Sequence, residues 1–362
     1  MNKKVLIGMS GGVDSSVGAY LLKEKGYDVT GITLKMWSEK LYKNRKNCTF
    51  APHDCDEDAK KVANKLGIKH ISLNYEDFFK KYVVDYFTDA YINGKTPNPC
   101  IECNRSIKFG AMLDYALQNG YDYIATGHYA GIEYDECTNL YKLKKSVYDS
   151  KDQTYVLYVL TQHQLKHTLM PLCDYSKDEI RKIAEEKIGL FIAEKSDSME
   201  ICFIPDNNYK AFICDTTGYI PKEGVFVDTK GNILGKHSSI INFTIGQRKG
   251  LGMTFGKPMF VTDINAETDT VTLGEAHEVF YTALEAENVN FISGEQIKDP
   301  FKCHCKTRYN AKMTECTVYP LKSGNIKVEF NEPQRAVTKG QSVVLYNGDY
   351  VLGGGVINKI YN

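Results

Sequence analysis

The sequence predicts an α/β chain with an N-terminal parallel-sheet domain, a small mostly β central domain and a C-terminal β-barrel. Three observations predict it. Apolar, β-branched runs alternate with amphipathic helical stretches up to about residue 130. The first of those runs feeds directly into a glycine-rich turn, and from about Gly224 helical periodicity gives way to short strands broken by turn residues. A chain of 362 residues has room for two or three domains, and the composition shifts place them at 1–205, 206–280 and 281–362.

The elements follow in order. Val5 to Met9 is an apolar first strand, Val17 to Lys25 a helix, and Tyr27 to Lys35 a β-branched strand. Asp56 to Leu66 sets charged and apolar positions at helical spacing, Lys69 to Leu73 returns as a strand, and Asp77 to Tyr91 is a long amphipathic helix. Ile107 to Leu117 is another helix, and Tyr121 to His128 is a strand ending at Gly127. Turn clusters at 228–232 and 265–269 punctuate the central domain. Beyond residue 280, Cys316 to Tyr319, Ile326 to Phe330 and Ser342 to Leu345 alternate as strands, and Asn347-Gly348 is a tight-hairpin pair.

Lys+Arg and Asp+Glu both total 45, so no global field draws the chain to nucleic acid or to an anionic membrane, and any such contact must be local. Eleven cysteines without an obvious secretory leader argue for a reducing, cytoplasmic setting. The first apolar run is short and ends in the glycine turn, which makes it a buried strand and not a membrane span.

The loop Ser10-Gly11-Gly12-Val13-Asp14-Ser15-Ser16 joins a strand to a helix. Adjacent glycines free successive N–H groups to point into one concavity, and the serines and the helix N-terminus add donors and positive potential, so the loop suits phosphate oxygens. It lacks the lysine of a Walker A loop. In open parallel sheets ligands sit beyond the carboxyl ends of strands, so the loops at Ser10 and Gly127 should face one crevice.

A second signal is Thr96-Pro97-Asn98-Pro99-Cys100-Ile101-Glu102-Cys103-Asn104-Arg105, a proline-restricted loop that delivers a CxxC into a helix start. Thiols there, with Arg105 nearby, should have depressed pKa values. Cys202 stands among apolar residues farther along. Cys303-His304-Cys305 with Cys316 has no matching second pair, so no metal is assigned there, and Cys137, Cys173 and Cys214 receive no role.

Taken together, SGGVDSS, Lys35-Met36-Trp37, TPNPCIECNRSIKF, ATGHY from Ala125, Lys151-Asp152-Gln153, the stretch around Cys202, TIGQRKGLG from Thr244, Arg308-Tyr309 and Gly340-Gln341-Ser342 resemble, in matching order, the tRNA 2-thiouridylase family of the PP-loop ATP pyrophosphatase superfamily. The resemblance covers nearly the whole chain. It implies ATP-dependent 2-thiolation of the wobble uridine of tRNA: the C2 oxygen is adenylated and then replaced by sulfur. By that likeness Gly8, Met9, Ser10, Gly11, Gly12, Val13, Asp14 and Ser15 line the ATP site with Met36 and Gly127, and Mg2+ accompanies the nucleotide. Cys202 carries sulfur as a persulfide and Cys103 acts as the nucleophile, leaving a Cys103–Cys202 disulfide for a reductant to reset. Asn98, Pro99 and Cys100 meet the target base, and His128, Lys151, Asp152, Gln153, Arg308, Tyr309 and Gln341 meet the rest of the tRNA. The implied partners are tRNA and a sulfur donor, either a cysteine desulfurase or a relay protein.

One departure matters. Better-known members carry an aspartate at the position of Cys100, and a thiol with an ordinary pKa of about 8.5 cannot stand in for a carboxylate of about 3.9. Cys100, Cys103 and Cys202 could instead hold three irons of a [4Fe–4S] cluster that carries the sulfur. Two other readings stand beside these: a PP-loop ligase or amidotransferase adenylating a small molecule, which needs neither CxxC nor Cys202, and a non-catalytic RNA-binding protein that takes ATP as a ligand. The lysines at 142, 144 and 145 read equally as an RNA-facing run or a solvated strand face.

Overall fold

In the computed structural model, which describes residues 2–37, 53–189, 201–204 and 206–362, the N-terminal part builds a five-stranded parallel sheet. β1 (Lys4–Gly8) runs through its centre, beside β2 (Asp28–Lys35), with β3 (Lys69–Asn74) at that edge. On its other side lies β4 (Tyr123–Ala125). The chain then forms a hairpin, β5 (Ala130–Asp135) and β6 (Leu140–Lys145), before returning to the sheet as β7 (Thr168–Leu169).

Alternate residues of β1 face opposite layers, as the pleat requires. Val5 and Ile7 pack with Val17 and Leu21 of α1 (Val13–Glu24) and with Val62 and Leu66 of α2 (His53–Leu66). The opposite layer begins with α3, a continuous helix over 76–92. Leu6 packs with Ile101, Phe109, Met112 and Leu113 of α4, a continuous helix over 99–118. Both α3 and α4 contain a π-helical stretch, Lys80–Val84 in the first and Asn104–Ala111 in the second. Capping boxes at Thr161 and Ser176 start α5 (Gln162–Lys166) and α6 (Lys177–Ile183). The strand expected over Tyr121 to His128 is regular only over Tyr123–Ala125; beyond it the chain leaves the sheet as Gly127 packs against the backbone of Asp14 and Ser15 in the first loop.

The central part holds α7 (Tyr209–Thr217) and four strands, β8 (Gly224–Asp228), β9 (Ile233–His237), β10 (Phe260–Asn265) and β11 (Thr270–Gly274), in the order β10-β11-β8-β9. Phe226, fully buried, anchors this sheet against Phe243, Phe255 and His237.

The C-terminal part closes into a barrel, as expected. β12 (Phe280–Phe291), β13 (Phe301–Lys306), β14 (Thr314–Pro320), β15 (Ile326–Arg335), β16 (Ser342–Asn347) and β17 (Tyr350–Tyr361) pair in the ring β12-β15-β14-β13-β16-β17, and β17 pairs back with β12. Cys303, Cys305 and Cys316 are buried members of the barrel core, with the Cys303 and Cys316 sulfurs 3.6 Å apart. Hydrogen bonding to Cys316, then burial, pushes the Cys303 and Cys305 thiols up.

The barrel and the parallel-sheet domain share one core. Val344, Tyr346 and Val351 of the barrel pack with Leu143, Tyr155, Tyr158 and Ile101. Strand β17 continues into the hairpin by pairing with β6. The Tyr155 hydroxyl donates to the Ser342 carbonyl at 2.8 Å, and Asn290 Nδ2 donates to the Tyr158 carbonyl at 2.7 Å. Gly354 is required at this seam: a Cβ there would stand 2.8 Å from the Tyr158 ring. The hairpin lysines are paired, Lys142 with Asp135 at 2.6 Å and Lys145 with Asp149 at 2.6 Å, which favours the strand-face reading of that run. Among the described residues no helix is long and apolar enough to cross a membrane.

Candidate active site

The strand order reverses direction between β1 and β4, so the crevice at their carboxyl ends is where a ligand fits. After β1 the chain turns at Gly11, whose φ of +68° lies in the left-handed region. Ser16 Oγ donates to the Gly12 carbonyl at 2.7 Å, and Ser15 Oγ donates to the same carbonyl at 3.3 Å while accepting from the Ser10 amide. Gly12 starts α1 without a side-chain cap, which leaves the first-turn N–H groups available to an anion. A Cβ on Gly127 would sit 2.9 Å from the Ser15 nitrogen and 3.0 Å from the Asp14 carbonyl carbon. The two loops therefore touch, as their shared crevice requires.

Other expected nucleotide residues surround this cradle. Gly8 lies beneath Met112, and Met9 is pinned to β2 through its amide to the Ile32 carbonyl at 2.8 Å and its carbonyl to Thr33 Oγ1 at 2.9 Å. Val13 is buried. Asp14 accepts from the Tyr129 hydroxyl at 2.7 Å and forms an ion pair with Lys177 at 2.9 Å, so its carboxylate is held by α6 and by the loop after β4. Met36 stands just past β2, half-buried against the apolar cluster that contains Cys103 and Ile204.

The thiol loop folds for local reasons. Asn98 caps α4 by accepting from the Cys100 amide at 3.1 Å, and Pro99 occupies the first helical position. Cys100 is exposed and Cys103 is buried, 7% accessible. Asn104 Nδ2 donates to the Val156 carbonyl at 2.9 Å, tying this turn to the tyrosine-rich segment at the barrel seam. Phe203 and Ile204 are driven into the same core as Cys103 and Ile107, with the Phe203 ring 5.3 Å from Phe87 and 5.5 Å from Phe79. Their burial draws Cys202 to the thiol helix, where it is open to solvent yet lies in a crowded recess that feels Cys100 and Cys103 electrostatically. The remainder of the stretch around Cys202, 190–200, lies outside the described residues.

The depressed thiol pKa values expected from the helix start are corrected by the structure. Burial pushes Cys103 up to about 11, and crowding by surrounding protein also raises Cys100 and Cys202 although each keeps an exposed surface, with Lys108 as the opposing charge. Arg105 does not supply that charge, since it turns to Glu102 at 3.3 Å. Desolvation of the anion outweighs the helix end. Alkylation of Cys103 by iodoacetamide, followed by peptide mass analysis, should accordingly quicken about tenfold per pH unit from 7 to about 10. A plateau already reached at pH 7 would contradict this.

The expected RNA residues fall into two groups. Gln341 Nε2 donates to the Thr96 carbonyl at 2.9 Å, and the Thr96 amide donates to the Lys339 carbonyl at 2.9 Å, so a barrel loop grips the loop that carries Asn98, Pro99 and Cys100. Tyr309, partly exposed, reaches the same neighbourhood, being raised first by burial and then by Asp152 and Cys100. His128 is buried beside Phe109, ring centroids 5.8 Å apart, and burial followed by Lys108 holds its pKa well below the ordinary value. The second group faces inward. Asp152 is 6% accessible and accepts from Thr154 Oγ1 at 2.7 Å and the Ser146 amide at 3.2 Å; Gln153 Oε1 accepts from the Tyr129 amide. Lys151 beside them is half-buried. Arg308 Nη2 donates to the carbonyls of Ile245 and Ala336 and to Thr338 Oγ1, tethering the central part to the barrel.

Gly340, with φ at +91°, makes the loop grip possible, because a Cβ there would stand 2.9 Å from the Thr96 nitrogen. Gly340→Val should lower stability by about 1–3 kcal/mol and displace the thiol loop. Thermal unfolding with parallel Cys100 alkylation rates checks this, and unchanged values in both would refute it.

Sequence reading did not foresee that Tyr129 and Lys177 would hold Asp14, or that Lys108 would face the thiols. The first two are separated from Asp14 by more than a hundred residues and carry no local signal. Lys108 is hidden by α-helical spacing, which points residue 108 away from residue 103.

Comparison with known proteins adds the following. Residues 3–206 match the family model described as tRNA methyl transferase HUP domain, 210–275 the tRNA methyl transferase PRC-barrel domain, and 281–357 the aminomethyltransferase beta-barrel domain. The chain is 54% identical over 360 residues to "tRNA-specific 2-thiouridylase MnmA" of Clostridioides difficile, covering 99% of each chain. It is 53% identical to the protein of that name in Acetivibrio thermocellus, covering 98% of this chain and 99% of the relative. Among solved structures, an NMN synthetase from Francisella tularensis aligns with 60% of this chain and 78% of its own at 15% identity, with a TM-score of 0.35, too distant to argue from.

Proposed function

The chain belongs to the tRNA-specific 2-thiouridylase family, and from that premise we propose that it replaces the C2 oxygen of the tRNA wobble uridine with sulfur in an ATP-dependent reaction. The observation that carries this reading is the clustering of Cys202 with Cys100 and Cys103 at the start of α4, the helix whose Met112 lies against Gly8 and whose Phe109 ring packs on His128, next to Gly127. A carbonyl oxygen leaves poorly, so it must first become a phosphate ester. The uncapped start of α1 and the hydroxyls of Ser10 and Ser15 suit the ATP phosphates, with Mg2+ as their counter-ion, and Met36 flanks the adenosine end.

Sulfur delivery then follows from the thiol pair. The donor, a cysteine desulfurase or a relay protein downstream of one, leaves Cys202 as a persulfide. The Cys103 thiolate attacks Cys202 Sγ, a Cys103–Cys202 bond forms, the outer sulfur–sulfur bond breaks, and its electron pair departs on hydrosulfide. Hydrosulfide adds at C2, AMP leaves, and a dithiol reductant reopens the disulfide. The base would enter past Asn98, Pro99 and Cys100, stacking at Tyr309, with Gln341 holding the loop, His128 closing the far wall, half-buried Lys151 toward the tRNA backbone, and Arg308 bracing the surface through Ile245, Ala336 and Thr338. Asp152 and Gln153 support that surface from within. The proposed setting is the cytoplasm.

Cys100 gives the iron–sulfur alternative its foothold. Among the described residues no three histidine, cysteine or acidic side chains group around a point that would hold a single metal ion, and no step is derived through a cluster. The methyl-transfer wording of the matched models has no counterpart in the thiol pair.

The test is reconstitution of the iron-free chain with ATP, a radiolabelled persulfide donor and single tRNA transcripts, read by nucleoside mass analysis. Formation of 2-thiouridine without iron supports the proposal. Formation that depends on added iron and sulfide would replace the persulfide route, and labelled AMP transfer to a small molecule without tRNA would replace the reaction itself.

A further inference from the structure

Helix α4 does not keep one pitch. Its first turn, Pro99–Cys103, is α-helical and puts Cys100 and Cys103 on one face at a spacing of three; the next eight residues, Asn104–Ala111, are π-helical. In an α-helix a residue five positions beyond Cys103 would point away from it, whereas i to i+5 closure returns it to the same side. That residue is Lys108. Its neighbours fix it from both directions: Ile107 is buried in the cluster that holds Cys103 and Phe203, and the Phe109 ring lies against His128. Lys108 itself is half-buried, and among the described residues it has neither a carboxylate nor a hydrogen-bond partner. The other cation of this turn, Arg105, is taken by Glu102.

We infer that Lys108 is the counter-ion of the sulfur pocket, placed there by the π-turn to stabilise the sulfur anion that passes from Cys103 to hydrosulfide during transfer. The inference rests on the sulfur-transfer reading for its purpose, though not for its test. In the attack of Cys103 on the Cys202 persulfide, one negative charge is present before and after, first on the Cys103 sulfur and then on the departing hydrosulfide. A cation held beside both sulfurs serves both states. Every described sulfur of the site senses this ammonium, Cys100, Cys103 and Cys202 alike, as does His128. Among the described residues, the other groups facing the thiols are Glu102, which opposes ionisation of Cys103, Tyr309 next to Cys100, and the neutral His128. None of them supplies a positive charge.

The experiment uses the full chain without ATP or tRNA. Iodoacetamide alkylation of Cys103 and Cys202 is followed from pH 6.5 to 11 by peptide mass analysis in wild type, Lys108→Met, Lys108→Gln and Lys108→Arg. The neutral variants should move the Cys103 profile to higher pH and slow alkylation at a fixed neutral pH by about tenfold for each unit of displacement, while Lys108→Arg should restore much of the wild-type rate. Superimposable profiles for wild type and a folded neutral variant overturn the inference, and so does an arginine variant that behaves like methionine. If Lys108→Met does not fold, Lys108→Gln decides. Because alkylation involves neither nucleotide nor RNA, a shifted profile in a chain that makes no 2-thiouridine would refute the proposed reaction while leaving the counter-ion in place.

Discussion

Cys103→Ser is expected to abolish 2-thiouridine formation, with a loss on the order of a thousandfold or more, while ATP binding and folding persist. The size follows from chemistry: a serine hydroxyl is not ionised near neutral pH and cannot displace sulfur from a persulfide. The persistence follows from geometry. Cys103 packs through its apolar flank against Ile107 and Phe203, and serine is slightly smaller, so the cluster should lose only about 1–2 kcal/mol. The phosphate cradle is built by other residues, Ser10 to Ser16 and Gly127. Cys202→Ser should give the same phenotype with one difference: the chain should no longer retain labelled sulfur from a persulfide donor, whereas Cys103→Ser should retain it. Nucleoside mass analysis and non-reducing gels of labelled protein report the two. Undiminished 2-thiouridine in either variant would end the thiol-pair mechanism.

Gly127→Val should weaken ATP binding and leave the thiols intact. Nothing in the Gly127 backbone demands glycine; what forbids a side chain is contact, because the new Cβ would meet the Ser15 nitrogen at 2.9 Å and the Asp14 carbonyl carbon at 3.0 Å, both backbone atoms that cannot step aside. Overpacking of this kind costs about 1–3 kcal/mol. Shifted onto the loop, it would weaken ATP by roughly tenfold to a hundredfold. Equilibrium binding of a non-hydrolysable ATP analogue measures the loss, and alkylation of Cys103 serves as the control for an undisturbed pocket. Wild-type affinity in the variant would mean that the nucleotide lies elsewhere.

The parallel sheet, the barrel and the meeting of the first and fourth strand loops were legible because each leaves a local trace: apolar runs of strand length, a glycine pair after a strand, and an Asn-Gly turn. The thiol helix start was equally legible, since Asn98 and Pro99 are residues that caps select. Three features were not. The π-turn that carries Lys108 leaves no mark in apolar spacing. The sign of the Cys103 shift depended on how deeply distant residues such as Phe203 bury it, and helix position alone gave the opposite answer. The inward orientation of Asp152 arises from partners at Ser146 and Thr154 that bend the chain locally.

The apolar seam at Tyr155 and Tyr158 has an evolutionary corollary. Since Ser342, Tyr346 and Gly354 are complementary to those two rings, a chimaera that transplants a foreign C-terminal module will succeed only when it imports matching contours at those positions. The coding segments for 155–158 and 342–354 should therefore be inherited together, and recombination between lineages should be tolerated more readily outside that pair of segments than between them.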